Sequence, residues 1–123
     1  MAETARRVEK PWGHEEIWAH TDRYVGKVLV IEPGKRLSLQ YHEKKDESIR
    51  VARGCLRLHL EDENGKINLI DLHPGEHRRI PVGRTHRFEA LDEQVEVIEV
   101  STPELDDVVR VEDDFGRKGT SEA

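Results

Sequence analysis

The run Pro33-Gly34-Lys35-Arg36-Leu37-Ser38-Leu39-Gln40-Tyr41-His42, followed by a short polar loop and Glu47, governs the reading of this chain. Apolar and polar residues alternate from Arg36 to His42, which is the period of a β-strand. The alternation predicts Arg36, Ser38, Gln40 and His42 on one face and Leu37, Leu39 and Tyr41 on the other. A polar row that lines a cavity leaves the apolar row in need of cover, and Val28 to Ile31 is apolar on both faces. The expected cover is the same sheet of a second molecule, giving a homodimer; the alternative is that the segment around Trp12 and Trp18 folds over it.

Gln40 and His42 project into one face of this strand, and Glu47 opens the next strand beyond the loop. A second group runs from Gly75 through Pro81-Val82-Gly83 to His86. Its tight turn delivers His86 at the head of a further strand that continues with Phe88 and Ala90. Imidazole, carboxylate and amide oxygen converging inside a barrel suit one divalent first-row ion such as Mn, Fe, Co, Ni or Zn, with coordination room left for water or substrate. The other histidines, His14, His20, His59, His73 and His77, stand beside charged or turn residues and read as solvated.

Outward from these groups the punctuation is regular: Pro11-Trp12-Gly13, Pro33-Gly34, Gly54, Asn64-Gly65, Pro74-Gly75, Pro81-Val82-Gly83 and Pro103 leave only short β-rich segments. The pattern predicts an all-β sandwich or barrel. Asn64-Gly65, between Leu56, Leu58, Leu60 and Ile67, Leu69, Leu72, predicts a hairpin. One short C-terminal helix is expected at Glu104 to Val109, capped by Thr102 with Pro103 at its first position. One domain over 8–117 is expected, with flexible termini at 1–7 and 118–123.

The chain of 123 residues has 20 basic and 26 acidic side chains, a net charge of -6, which argues against a nucleic-acid partner. No apolar run reaches the length of a membrane span and Met1 to Lys10 lacks the apolar stretch of a signal peptide, so no membrane association and a cytoplasmic location are expected. The single cysteine, Cys55, agrees with a reducing compartment and reads as packing.

The two groups together resemble the paired motifs of the cupin superfamily. The second is met from Gly75 through His86 with Ala90 where an Asn is usual, and in the first Gln40 stands where a His is expected. Within the cupins, the Pro33 to His42 run resembles the type II mannose-6-phosphate isomerase domain, often fused to a guanylyltransferase. The likeness extends to Pro11-Trp12-Gly13, Ile80-Pro81 through His86-Arg87, Ile98-Glu99-Val100, Asp106 to Arg110 and Phe115-Gly116-Arg117. It covers about residues 8–117 and no guanylyltransferase half. The segment Glu43-Lys44-Lys45-Asp46-Glu47-Ser48-Ile49 departs from the histidine-rich, Arg-containing run common there, and Lys45 keeps the charge of that Arg without its fork.

The resemblance implies a single-domain double-stranded β-helix, or jelly-roll barrel, with Gln40, His42, Glu47 and His86 as metal ligands. It also implies an isomerase or epimerase acting on a sugar or sugar phosphate through an enediol. Arg36, Lys44 and Lys45 are the candidates for neutralising a phosphate, and Glu99 and His77 the candidates for the base. A cupin dioxygenase and a non-enzymatic metal- or sugar-binding protein are the alternatives.

Overall fold

Short alternating segments between the turns become twelve strands. The structure, a computed structural model, describes residues 1–117 and the backbone of 119–121. The strands are β1 (Arg6–Lys10), β2 (Gly13–His20), β3 (Val25–Ile31), β4 (Leu39–Tyr41), β5 (Glu47–Arg53), β6 (Leu56–Glu61), β7 (Ile67–Leu72), β8 (His77–Ile80), β9 (His86–Ala90), β10 (Val95–Ser101), β11 (Val108–Glu112) and β12 (Gly119–Ser121). They form two six-stranded sheets, β1-β2-β3-β10-β5-β8 and β12-β11-β4-β9-β6-β7. All the pairings are antiparallel, and the chain crosses repeatedly between the sheets, as expected of a jelly roll.

Between the sheets Leu29, Ile31, Ile49, Val51 and Val97 of the first meet Leu56, Leu58, Phe88 and Ala90 of the second, all almost fully buried. Period-two patterning explains the inward rows. In β6, Leu56, Leu58 and Leu60 point in, while Arg57 points out to an ion pair with Asp71 and His59 to a hydrogen bond with Glu89. Fully burying each such aliphatic side chain stabilises the fold by about 1.5–3 kcal/mol. Trp12 plugs this core at 2% exposure rather than covering an outer face.

The expected hairpin is β6–β7, closed by a loop over 62–66. Leu72 packs inside with Ile70 beside it, whereas Ile67 and Leu69 lie on the outer face. Among the described residues no helix is formed, including any long and apolar enough to cross a membrane. The segment expected as a helix is an irregular loop to Asp107, after which the β-branched pair Val108-Val109 enters β11. Thr102, the expected cap, and Asp107, expected within the helix, bond the 43–46 loop instead. At the N-terminus β1 begins at Arg6, inside the segment expected to fray. At the other end β12 occupies 119–121, and residues 118, 122 and 123 lie outside the described residues.

The predicted alternation from Arg36 to His42 holds only in part. β4 is just Leu39–Tyr41, and Arg36 and Leu37 touch the ladder through a bridge to Glu89 and one bond to the Phe88 carbonyl. Leu37 and Ser38 are both buried, so the two-residue period breaks there: Leu37 enters the core and Arg36 turns outward. The apolar surfaces expected to share one dimer interface also separate. Val28 and Val30 belong to the first sheet, Leu39 and Tyr41 to the second.

Candidate metal centre

Three elements bring His42, Glu47 and His86 together. His42 follows β4, Glu47 opens β5 in the opposite sheet, and His86 opens β9. One ligand atom from each lies within 4.8 Å of the others, and all three side chains are buried. Glu47 Oε1 is 3.1 Å from His86 Nε2 and 3.4 Å from His42 Nε2.

The tautomers follow from the outer hydrogen bonds. His42 Nδ1 donates to the Asp107 carbonyl at 2.6 Å, and His86 Nδ1 donates to the Arg84 carbonyl at 2.9 Å. A carbonyl only accepts, so each neutral ring carries its proton on Nδ1 and turns the Nε2 lone pair toward Glu47. Buried acceptors facing one another without a donor repel unless a cation lies among them. His42 Nε2, His86 Nε2 and both Glu47 oxygens lack a hydrogen-bond partner. Two imidazoles and a carboxylate, each ring fixed from behind, fit a divalent first-row ion.

The loop carrying His42 is held from outside. Asp107 accepts the main-chain N–H groups of Glu43, Lys44 and Lys45 at 2.8–3.0 Å. The Pro81-Val82-Gly83 turn reaches back as well, Gly83 donating to the His42 carbonyl at 2.9 Å. Gly83 has φ +80°, a conformation that a side chain would strain. Gln40 pairs directly with His86 across β4 and β9, and its Oε1 accepts the Ser38 hydroxyl at 2.6 Å. It therefore stands beside the converging cluster, on the same cavity wall.

Behind Glu47 lies a chain of buried charges that the sequence reading did not anticipate. Lys45 Nζ sits 3.5 Å from Glu47 and 3.1 Å from Glu99; Lys27 sits 3.8 Å from Glu99 and 3.2 Å from Glu15. Each of these side chains is at most 3% exposed. Burial opposes the charge on Lys45, but Glu99 and Glu47 outweigh it and hold the ammonium above its ordinary pKa. Burial likewise opposes ionisation of Glu47, yet the Lys45 ammonium holds its pKa well below the carboxylate range. Burial and the neighbouring Glu47 charge push Glu99 up. Inward parity was the available signal: Lys27 alternates with Val25 and Leu29, and Glu99 with Val97 and Ser101.

Of the expected phosphate ligands, only Lys45 reaches the interior, and there it neutralises carboxylates. Lys44 is exposed, and Arg36 forks onto Asp114 at 2.6 and 2.9 Å outside the cavity. Glu99 lines the cavity, whereas His77 is exposed on β8. The cavity, with about 20 Å³ of space open to water, is also bounded by Lys10, Arg110 and Arg117.

The chain has known relatives in both sequence and fold. The family described as mannose-6-phosphate isomerase C-terminal matches residues 1–113. The mannose-1-phosphate guanylyltransferase ManC of Salmonella typhimurium is 37% identical over 117 residues, covering 91% of this chain and 23% of that protein. The alginate biosynthesis protein AlgA of Pseudomonas aeruginosa is 30% identical over 114 residues, covering 89% of this chain and 23% of its own length. The chain thus spans about a quarter of the length of these curated relatives. Among solved structures, the capsular polysaccharide assembling protein CapF of Staphylococcus aureus aligns with TM-score 0.75 at 22% identity, over 90% of this chain and 35% of CapF. KdgF from Halomonas sp. aligns with TM-score 0.69 at 23% identity, over 80% of this chain and 87% of KdgF. At such identities the structural likeness carries the fold.

Proposed function

This chain belongs to the mannose-6-phosphate isomerase C-terminal family, and on that premise we propose that it is a divalent-metal-dependent isomerase or epimerase of a sugar or sugar phosphate. The observation that carries the reading is the convergence of buried His42 Nε2, His86 Nε2 and Glu47, with both imidazole tautomers fixed. These three residues would hold the ion, with Gln40 beside them as a further oxygen ligand. The cation supplies stabilisation of the negative charge that develops on a substrate oxygen during enolisation.

The chain's own residues would do the rest. Aldose–ketose exchange takes a proton from one carbon and returns it to its neighbour. Glu99 reaches the cavity wall, and Lys45 holds one of its oxygens at 3.1 Å. We assign Glu99 the carriage of that proton. Lys45 balances Glu47 and Glu99 and keeps both carboxylates in a dry interior where charge acts strongly. The working unit is a homodimer covered on the outer face of β2, β3 and β10, where Trp18 at 57% and Val100 at 50% exposure lie beside Gly26.

Metal-loaded protein incubated with aldose and ketose phosphates in deuterated water tests the reaction. Deuterium should enter beside the carbonyl of at least one sugar and should require metal. Failure of exchange in protein that holds its metal contradicts the isomerase reading. Oxygen consumption with some substrate would then favour a dioxygenase.

A further inference from the structure

The cavity beside Glu47 and Glu99 has about 20 Å³ open to water, which is room for about one water molecule. Sites for small organic ligands run to about 300–1,000 Å³. No sugar fits there until a wall moves. Most of the wall is fixed by the sheets: Lys27 and Leu29 stand on β3, Gln40 on β4, Glu47 on β5, Phe88 on β9 and Glu99 on β10, and each of these strands is bonded to a neighbour on both sides. Lys10 is laddered to Gly13, and Trp12 and Leu37 pack into the core.

Arg117 stands apart. It lies in the 113–117 segment, beyond the end of β11 at Glu112, and bounds the cavity from outside the ladders. This segment is folded upon itself. Asp113 accepts the Arg117 main-chain N–H at 2.7 Å and its guanidinium at 2.9 and 3.0 Å, and Gly116 donates to the Asp113 carbonyl at 3.3 Å. The Arg117 guanidinium carbon is 5.9 Å from the centre of the Phe115 ring. The Asp113 carboxylate is 1% exposed, and its partner Arg117 would travel with it, so the segment can move as one piece. A fork ties it to the barrel: Arg36 Nε and Nη2 donate to the Asp114 carboxylate at 2.6 and 2.9 Å, across 78 positions of chain. Both side chains are partly exposed, at 35% and 44%. An ion pair so open to water is weak, which suits a contact that breaks and re-forms.

We propose that the 113–117 segment is a lid over the barrel cavity, latched by the Arg36–Asp114 pair, and that it lifts as a unit to admit substrate. Closure then returns the carboxylates to a space from which bulk water is excluded, as lids do in other enzymes. The need for an opening rests on the sugar reading above; the opening itself is tested with neither sugar nor metal.

Acrylamide quenching of the full chain reads the opening through Trp12, a wall residue at 2% exposure. Trp18→Phe removes the other tryptophan and leaves Trp12 as the sole emitter. In that background Arg36→Gln and Asp114→Asn should each raise the quenching constant by about two- to fivefold, the change expected from cutting a pair of this strength. Exchanging the charges, Arg36→Asp together with Asp114→Arg, should recover most of the loss. Hydrogen exchange should quicken by a similar factor at the Gly116 and Arg117 amides and stay unchanged at Leu29 and Phe88 in central strands. Both latch residues are partly exposed, so either single variant serves should the other fail to fold. Quenching that stays at the wild-type level in the folded variants would overturn the lid. Equal acceleration at Leu29 and Phe88 would also overturn it, because the fork would then fasten the whole barrel. Deuterium incorporation into sugars is measured separately, so this proposal and the isomerase reading fail independently.

Discussion

His42 donates its Nδ1 proton to the main-chain oxygen of Asp107, 2.6 Å away, while the Asp107 carboxylate gathers the N–H groups of the three residues after His42. One residue 65 positions along the chain thus sets both the tautomer of a ligand and the shape of its loop. Asp107→Ala keeps the carbonyl but frees the loop. Metal affinity should fall by about tenfold or more, the usual cost of loosening an outer partner of a metal ligand. Asp107→Asn, which retains an acceptor oxygen, should fall between. Competition with a chromogenic chelator measures it, and unchanged affinity in Asp107→Ala would show that the loop holds its shape unaided.

Lys45 is the keystone of the buried charges, so its removal should act on stability before chemistry. Lys45→Met leaves buried Glu47 without its ammonium, facing a Glu99 that keeps only the more distant Lys27, and should destabilise the metal-free chain by about 3–5 kcal/mol in denaturant titration. Adding Glu99→Gln should restore a good part of that loss, because it removes the like charge that faces Glu47. A single variant as stable as the wild type would mean that the two carboxylates are not held charged.

Much of this was readable in the sequence because strand signals are local. The turns, the β6–β7 hairpin and the meeting of His42, Glu47 and His86 all follow from punctuation and the two spaced motifs. Parity failed at Arg36 and Leu37 because it requires an unbroken ladder, and that stretch has only isolated contacts. The inward turn of Lys45 was hidden for another reason: its partner Glu99 lies on β10, and loop spacing carries no information about which strand crosses overhead. Thr102 and Asp107 looked like helix residues because capping and loop-bracing use the same side-chain oxygens.

Asp62 closes the β6–β7 hairpin, and its pKa is lowered by the Asn68 amide first and then by the Lys66 and Asn64 main-chain N–H groups. A carboxylate whose folded pKa is depressed contributes stability above its unfolded pKa and loses that contribution as pH falls through the folded one. Asp62→Ala should therefore melt below the wild type at neutral pH, and the gap should close in strongly acid solution. Thermal melts across that range check it; a constant gap would mean that the ionised form is not what matters.

The outer face of the first sheet carries Trp18 stacked over Gly26, with Val100 paired to Gly26 and Ile98 to Val28. Light scattering at micromolar concentration should report a dimer, and Trp18→Glu should shift it toward monomer. A monomeric wild type would contradict the proposed assembly.

Elemental analysis of freshly purified, tag-free protein asks whether the converging His42, Glu47 and His86 hold a metal ion. About one divalent transition metal per chain is expected, most of it lost in His42→Ala and none lost in His73→Ala, whose ring is exposed. Wild-type protein that is metal-free and refuses Mn, Fe, Co, Ni and Zn would contradict it.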